Sequence, residues 1–200
     1  MNMNEYNTVK NLNYRAYCDY LKEKYGAVPS AFMSAKGTKN RRITRTSDGL
    51  VVHHIFEDHA PKLADPNEAK KHPMEWQAAE NLVYCDTLEH LLLHILIAEG
   101  ADLDSTEGIP VGVGGILQFL VPELNDLYSG WENEQDWRKN CHAKIIEDKD
   151  VYMSLLARFK HNEALYPFNH EKMLCHSYND QYGKWSDSKN ESLYEEIKAL

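Results

Sequence analysis

Long apolar runs, paired cysteines and a leader-like N-terminus are all missing from this chain of 200 residues. The longest dense apolar stretch, residues 91–98, is far shorter than the roughly 20 residues that span a bilayer, so we expect no membrane partner. The first residues carry neither the basic region nor the apolar region of a secretory signal. The four cysteines lie far apart without a CxxC pair, which favours reduced thiols and a cytoplasmic location.

Positive charge is scarce overall and concentrated near the N-terminus. The formal net charge is −9. Residues 1–54 hold nine Lys/Arg and four Asp/Glu, whereas residues 55–200 hold 13 Lys/Arg and 27 Asp/Glu. Five basic side chains follow one another without an acid between them: Lys36, Lys39, Arg41, Arg42 and Arg45. Such a stretch can hold phosphates even in an acidic protein, and a solvated loop is the alternative interpretation.

Apolar periodicity and capping residues predict an α+β fold in one domain over residues 1–200, mainly helical, with a small core of two strands and a helix. The predicted elements are an N-terminal helix over 8–25, a strand over 50–56, a short helix over 66–71, a strand over 81–85, a buried helix over 87–98, and a helical C-terminal part, 101–200, with helices over 112–128, 133–146, 150–160 and 190–199.

Histidines in the middle of the chain have an informative spacing. His90 and His94 are four residues apart on the predicted helix 87–98, so both imidazoles project from one face. This arrangement suits two ligands of one divalent ion, and two hydrogen-bonded core histidines are the alternative. His53 and His54 lie on the strand before it, where neighbouring side chains point to opposite faces. One of them can therefore face an ion while the other faces a substrate.

Asn81 begins the second strand, nine residues before His90, so that the order is strand with His-His, strand with Asn, and helix with HxxxH. This segment, residues 43–99, resembles the ββα-metal motif of the HNH endonucleases, in the form found in phage and mobile-element nucleases. The matching residues are His53-His54-Ile55, then Asn81-Leu82-Val83, then Glu89-His90 and His94. Many members carry CxxC pairs that bind a structural zinc, and this chain has none. Cys85 occupies one such position, but Glu89 stands where the second cysteine would be.

The resemblance implies a DNA endonuclease that hydrolyses phosphodiester bonds with one divalent ion, Mg²⁺, Mn²⁺, Zn²⁺ or Ni²⁺. It assigns His53, His90 and His94 as metal ligands, His54 as the general base and Asn81 as the residue that braces the loop and orients His54. A neutral imidazole suits a base near pH 7. The basic residues expected to contact the substrate phosphates are Lys39, Arg41, Arg42 and Arg45.

Other interpretations of the same residues remain open at this stage. An RNase on the same scaffold fits equally well in chemistry, because nothing in the motif requires or excludes a 2′-hydroxyl. A non-catalytic zinc-binding or nucleic-acid-binding relative is the alternative from another class, although His54 speaks against it. Glu57 and Asp58 follow the histidine pair and are interpreted as solvated loop acids rather than as partners of an imidazole. The acidic balance suggests a further protein partner that restrains the enzyme or delivers its substrate.

Overall fold

A two-stranded antiparallel sheet lies among helices in the computed structural model, which describes residues 1–102, 109–182 and 187–200. The prediction of a mainly helical α+β fold is confirmed. The helices are α1 (Met3–Val9), α2 (Tyr14–Tyr25), α3 (Pro66–Ala69), α4 (Thr87–Glu99), α5 (Val113–Gly115), α6 (Val121–Tyr128), α7 (Asp136–Ile145), α8 (Lys149–Lys160), α9 (Glu171–Leu174), α10 (Tyr178–Tyr182) and α11 (Asp187–Lys198), and the strands are β1 (Val51–His54) and β2 (Leu82–Cys85). Among the described residues, no helix is both long and apolar enough to cross a membrane.

The N-terminal segment forms two helices, so the prediction of one helix over 8–25 is wrong. The chain leaves α1 after Val9 and begins α2 at Tyr14. Asn13 causes the new start, because its side chain accepts a hydrogen bond from the backbone N–H of Ala16 at 3.0 Å, as an N-cap residue does. The predicted end at Gly26 is confirmed, and the φ angle of +80° at that position suits glycine.

Strands β1 and β2 pair over four residues each, with His53 opposite Val83 and His54 opposite Leu82. Both lie inside the predicted ranges 50–56 and 81–85. Strand β1 is shorter than predicted because the chain turns into a 3-10 helix, Ile55–Asp58, directly after His54. This turn brings the residues that follow the strand back towards its last two side chains.

Helix α4 begins with the predicted capping box. The Asp86 carboxylate accepts from the Glu89 N–H at 2.8 Å, and the Glu89 carboxylate accepts from the Asp86 N–H at 2.7 Å. Glu89 also accepts hydrogen bonds from Lys24 at 2.6 Å and Tyr25 at 3.1 Å, which ties α4 to α2. Glu89 therefore has a structural role at the start of α4. Almost every residue of α4 is buried, and the helix contacts α2, α7 and α8.

The C-terminal part is helical as predicted, and the segments 103–108 and 183–186 of the predicted range 101–200 lie outside the described residues. The predicted helix over 112–128 is a continuous helical stretch in which a wider π turn, Ile116–Leu120, separates α5 from α6. The predicted helices over 133–146, 150–160 and 190–199 correspond to α7, α8 and α11. The short helices α9 and α10 were not predicted.

Candidate metal centre

Three imidazoles converge where the end of β1 meets the middle of α4. The His53 ring centre lies 5.1 Å from that of His90 and 5.3 Å from that of His94. The Nε2 atoms of His90 and His94 are 3.2 Å apart, as expected for residues spaced by one helical turn. The structure thus brings together the three histidines that the sequence singled out as metal ligands.

Glu57 joins these histidines, and its interpretation as a solvated loop acid is wrong. The 3-10 turn after β1 directs its carboxylate into the cluster, where Oε2 lies 3.6 Å from His53 Nδ1 and 3.4 Å from His94 Nε2. The side chain is only 12% exposed. Burial raises the pKa of Glu57 to about 8, against a hydrogen bond from the Leu63 backbone that lowers it. A nearby cation would hold this carboxyl in its charged form.

The orientation of His53 is fixed by Tyr14 on α2. The Tyr14 hydroxyl has one proton and donates it to the Ile55 carbonyl at 2.9 Å, so its oxygen accepts from His53 Nε2 at 2.9 Å. The proton of the neutral His53 ring is therefore on Nε2, and Nδ1 presents a lone pair to the cluster. Sequence reasoning missed Tyr14, since 39 residues separate it from His53.

His54 is held in the same way by Gln77. The amide nitrogen of Gln77 donates to the Leu63 carbonyl at 3.0 Å, so its oxygen accepts from His54 Nε2 at 3.0 Å. The free Nδ1 of His54 lies 4.0 Å from Glu57 Oε1, at the border of the cluster. Burial lowers the pKa of His54 to about 4, so the ring is neutral at pH 7 and its Nδ1 can accept a proton.

The four side chains have the donor set and the spacing of a divalent-metal site. One ligand atom from each of His53, Glu57, His90 and His94 can be chosen so that all lie within 4.8 Å of one another, and this is the only such group among the described residues. For bonds of about 2.0–2.1 Å, tetrahedral ligand atoms lie roughly 3.4 Å apart. Three of the separations here are 3.2, 3.4 and 3.6 Å.

The protonation of the cluster also fits a cation. Burial lowers the pKa of His53 and His90 well below the usual histidine value, and burial lowers that of His94 to about 4. The rings are therefore neutral, as metal ligands must be. Within the described ranges, the buried Nδ1 of His53 has no hydrogen-bond partner. A buried lone pair without a donor is destabilising, and a metal ion would satisfy it.

A glycine-rich turn, residues 112–115, packs directly against His94. A Cβ atom at Gly115 would lie 2.4 Å from Cε1 of the His94 ring, whereas one at Gly114 would meet nothing within 4 Å. Gly112 has a φ angle of +87°, and a Cβ there would lie 2.6 Å from the His94 carbonyl oxygen. Glycine at 112 and 115 thus allows the turn to fix the position of the His94 ring.

Asn81 contacts the loop before β2 rather than the cluster. Its side-chain amide donates to the Glu75 carbonyl at 2.7 Å. Glu75 and Gln77 belong to the same 3-10 turn, Met74–Gln77, and Gln77 carries the hydrogen bond to His54. The structure therefore places Asn81 where it braces the turn that holds His54.

A cleft of about 660 Å³ opens beside the cluster, with Glu57, His90 and His94 in its wall. Lys39 and Lys62 line the same cleft, and Lys62 had not been singled out from the sequence. The other predicted phosphate-binding residues differ in their surroundings. Arg41 and Arg42 are exposed, whereas Arg45 binds the Asp48 carboxylate at 2.8 Å and the Tyr25 carbonyl at 2.9 Å.

Comparison with known proteins gave no match: no protein family, no curated protein and no solved structure is significantly similar to this chain.

Proposed function

We propose that this protein is a metal-dependent phosphodiesterase of the HNH type, with DNA as its substrate. The observation that carries the proposal is the convergence of His53, Glu57, His90 and His94 at the junction of two antiparallel strands and the following helix. The order and spacing of the histidines resemble the ββα-metal motif, and their donor atoms fit a divalent ion. His54, the neighbouring residue that is proposed as the base, is neutral and lies at the border of the same cluster.

In this proposal the four clustered side chains hold the ion and His54 acts on water. A divalent ion bound there supplies positive charge that stabilises the phosphate and the departing 3′ oxygen in the transition state. His54 takes one proton from the attacking water at Nδ1, while the new phosphorus–oxygen bond forms and the bond to the 3′ oxygen breaks. The Gln77 hydrogen bond to Nε2 favours this step, because it keeps the ring oriented and stabilises the protonated product.

Phosphate binding is assigned to the basic side chains around the cleft. Lys39 and Lys62 line it together with the cluster, and the exposed Arg41 and Arg42 extend the positive surface along the chain from Lys39. These contacts would be independent of base sequence. Arg45 is the weakest candidate of the original set, because its guanidinium already binds Asp48 and the Tyr25 carbonyl.

A non-catalytic zinc site is the second candidate function, and one observation favours it. Four protein donors can complete the coordination of zinc, and a structural zinc site is closed in this way. The cleft beside Glu57, His90 and His94 favours catalysis instead, since a structural site has no need of access for a substrate. His54 also favours catalysis over a structural zinc site, because it is a buried base candidate beside the proposed ligands.

Digestion of supercoiled plasmid DNA and of total RNA tests the proposal. Each substrate is incubated with wild type or His54→Ala in Mg²⁺, in Mn²⁺ and in EDTA. We expect metal-dependent cleavage of DNA by wild type, inhibition by EDTA and a strong loss of activity in His54→Ala. Cleavage of RNA alone would support the RNase on the same scaffold. Metal binding without cleavage of either substrate would support the zinc site and contradict the enzyme.

A further inference from the structure

A second cleft lies on the other side of Phe119 from the metal centre. It has a volume of about 450 Å³, and its wall includes Phe119, Trp131, Arg138 and Tyr178. Phe119 also lines the cleft of the metal centre, so the two clefts meet at this side chain. Phe119 is 51% exposed, although its neighbours Leu117 and Leu120 are buried.

The exposed position of Phe119 results from the π turn Ile116–Leu120. Such turns are rare and frequently occur at functional sites. Two side chains from the C-terminal part hold the carbonyls of this turn: His176 Nε2 donates to Leu117 at 2.8 Å, and the Tyr178 hydroxyl donates to Gln118 at 2.8 Å. The backbone that carries Phe119 is therefore held by two side-chain hydrogen bonds, and its ring lines both clefts.

The polar groups of the second cleft suit an uncharged planar ligand. The Arg138 guanidinium carbon lies 5.9 Å from the centre of the Tyr178 ring, and its buried Nε has no hydrogen-bond partner among the described residues. The carboxyl groups of Asp126 and Glu134 line the same space and offset the charge of Arg138, which disfavours a phosphate there. The amide side chains of Asn133 and Gln135 add donors and acceptors.

We propose that this second cleft binds one nucleobase of the nucleic-acid substrate, close to the phosphate at the metal centre. Phe119 stacks on the base, and the Arg138 guanidinium donates to an acceptor on its edge, as aromatic and arginine side chains do with unpaired bases. A base inside a duplex cannot enter such a cleft, so the substrate is single-stranded or has one nucleotide turned out of the helix. This inference rests on the proposed function for the identity of the polymer.

The test is an abasic scan on a short single-stranded oligodeoxynucleotide and on its RNA counterpart. One nucleotide at a time is replaced by an abasic site, and the affinity of the metal-free full-length chain in EDTA is measured by fluorescence anisotropy. Wild type should lose about tenfold or more in affinity at one position of the scan, as expected for one stacked base. Phe119→Ala and Arg138→Gln should abolish this position dependence. Ile146→Ala, which removes a 54% exposed side chain outside the cleft, should keep it.

Failure of this inference can be distinguished from failure of the proposed function, because cleavage of the same oligonucleotides is measured separately in Mg²⁺ and Mn²⁺. A flat scan, a scan unchanged in Phe119→Ala, or no binding without metal would overturn the base site even if cleavage occurs. If the affinity depends on the position of the abasic site, and this dependence requires Phe119, the base site is supported. If the same oligonucleotides are not cleaved, the proposed nuclease function is contradicted.

Discussion

Two buried polar clusters in this molecule, one around Asn125 and one around His53, differ in whether these two side chains find partners in the protein. In the C-terminal half, the Asn125 amide donates to two carbonyls at 2.8 and 2.7 Å and accepts from the Tyr152 hydroxyl at 2.6 Å. Next to it, one oxygen of Asp126 accepts from both the backbone and the side chain of Asn179. In the candidate metal centre, by contrast, the buried Nδ1 of His53, which faces the cluster, has no partner in the described part of the chain.

This difference separates a structural network from a candidate binding site. Buried polar groups are normally hydrogen-bonded, and a group without a partner calls for an explanation such as an ion. The Asn125 side chain has protein partners for both its amide nitrogen and its oxygen, so we assign to it only the joining of α6, α8, α9 and the segment after α9. The histidine cluster leaves the Nδ1 of His53 unpaired, and a cation would satisfy it.

The largest effect is expected from His54→Ala. This residue is proposed to take the proton from water, so its loss should lower the cleavage rate by about two to four orders of magnitude. Metal content, measured by mass spectrometry, should stay at the wild-type value, because His54 is not one of the four ligands. Wild-type activity in His54→Ala would contradict the assignment of His54 as the general base. A variant that loses its metal would make His54 a ligand instead.

Gly115→Ala should disturb the metal centre from outside it. The new methyl group would overlap the His94 ring, so the ring must move, and we expect the metal affinity to fall by up to about 100-fold. Gly114→Ala is the matched control, since a Cβ there meets nothing and the affinity should not change. Titration calorimetry with Mn²⁺ measures both variants. Equal affinities would show that the turn does not position His94.

Asn125→Ala should affect the other cluster alone. It leaves the Leu174 and His176 carbonyls and the Tyr152 hydroxyl without this partner in the core, which should lower the free energy of unfolding by at least about 2 kcal/mol. Urea denaturation measures this loss, while metal affinity should equal that of wild type. A loss of metal binding in the folded variant would contradict the separation of the two clusters.

Tyr14→Phe should have a smaller effect on the metal centre. It keeps the ring but removes the hydroxyl that holds His53 Nε2, so the tautomer with a free Nδ1 is no longer favoured. We expect the metal affinity to fall about tenfold. Tyr20→Phe removes a hydroxyl from the same helix, bound to Glu5, and should leave the affinity unchanged. The same result for both variants would mean that Tyr14 has no role in positioning His53.

The smallest expected effect is on the pH dependence of stability, and it comes from Asp126 in the cluster around Asn125. Burial raises the pKa of Asp126 from 3.8 to about 6, against hydrogen bonds from Asn179 that lower it. The folded protein therefore binds more protons than the unfolded chain between these two values, and the contribution of Asp126 to stability declines as the pH rises through this window. Asp126→Asn cannot ionise, so wild type should lose stability relative to this variant from pH 4 to pH 7. Asp136→Asn, at an exposed position, is the control. If the free energy of unfolding of wild type and of Asp126→Asn had the same pH dependence, the raised pKa of Asp126 would be contradicted.

Local sequence signals predicted the elements that carry the site. The Asp86–Glu89 capping box marks the start of α4, and the spacing of His90 and His94 follows from helical geometry alone. Glu57 had a local signal as well, since it stands four residues after His53, but its orientation depends on the 3-10 turn that ends β1. Only residues 55 and 56 of that turn were predicted as part of the strand, and Glu57 was predicted as a loop acid.

The residues that orient the histidines could not be predicted, because they act across long separations. Tyr14 and Gln77 lie 39 and 23 residues from the rings they hold, and each is an ordinary core residue in its own segment. Gly115 contacts His94 only after α4 and the π-turn region have packed together. The division of 8–25 into α1 and α2 rests on one side-chain hydrogen bond of Asn13, which apolar periodicity does not reveal.

The most direct test of the central claim is the metal stoichiometry of the stripped chain, titrated with Zn²⁺ and with Mn²⁺ in a calorimeter. His90→Ala removes one proposed ligand. His142→Ala removes another buried histidine on a helix, which lies 3.4 Å from Glu123 and outside the cluster. The account predicts one ion per chain for wild type and for His142→Ala, and no binding at the same concentrations for His90→Ala. A wild-type chain that binds no ion, or a His90→Ala variant that binds like wild type, would contradict it.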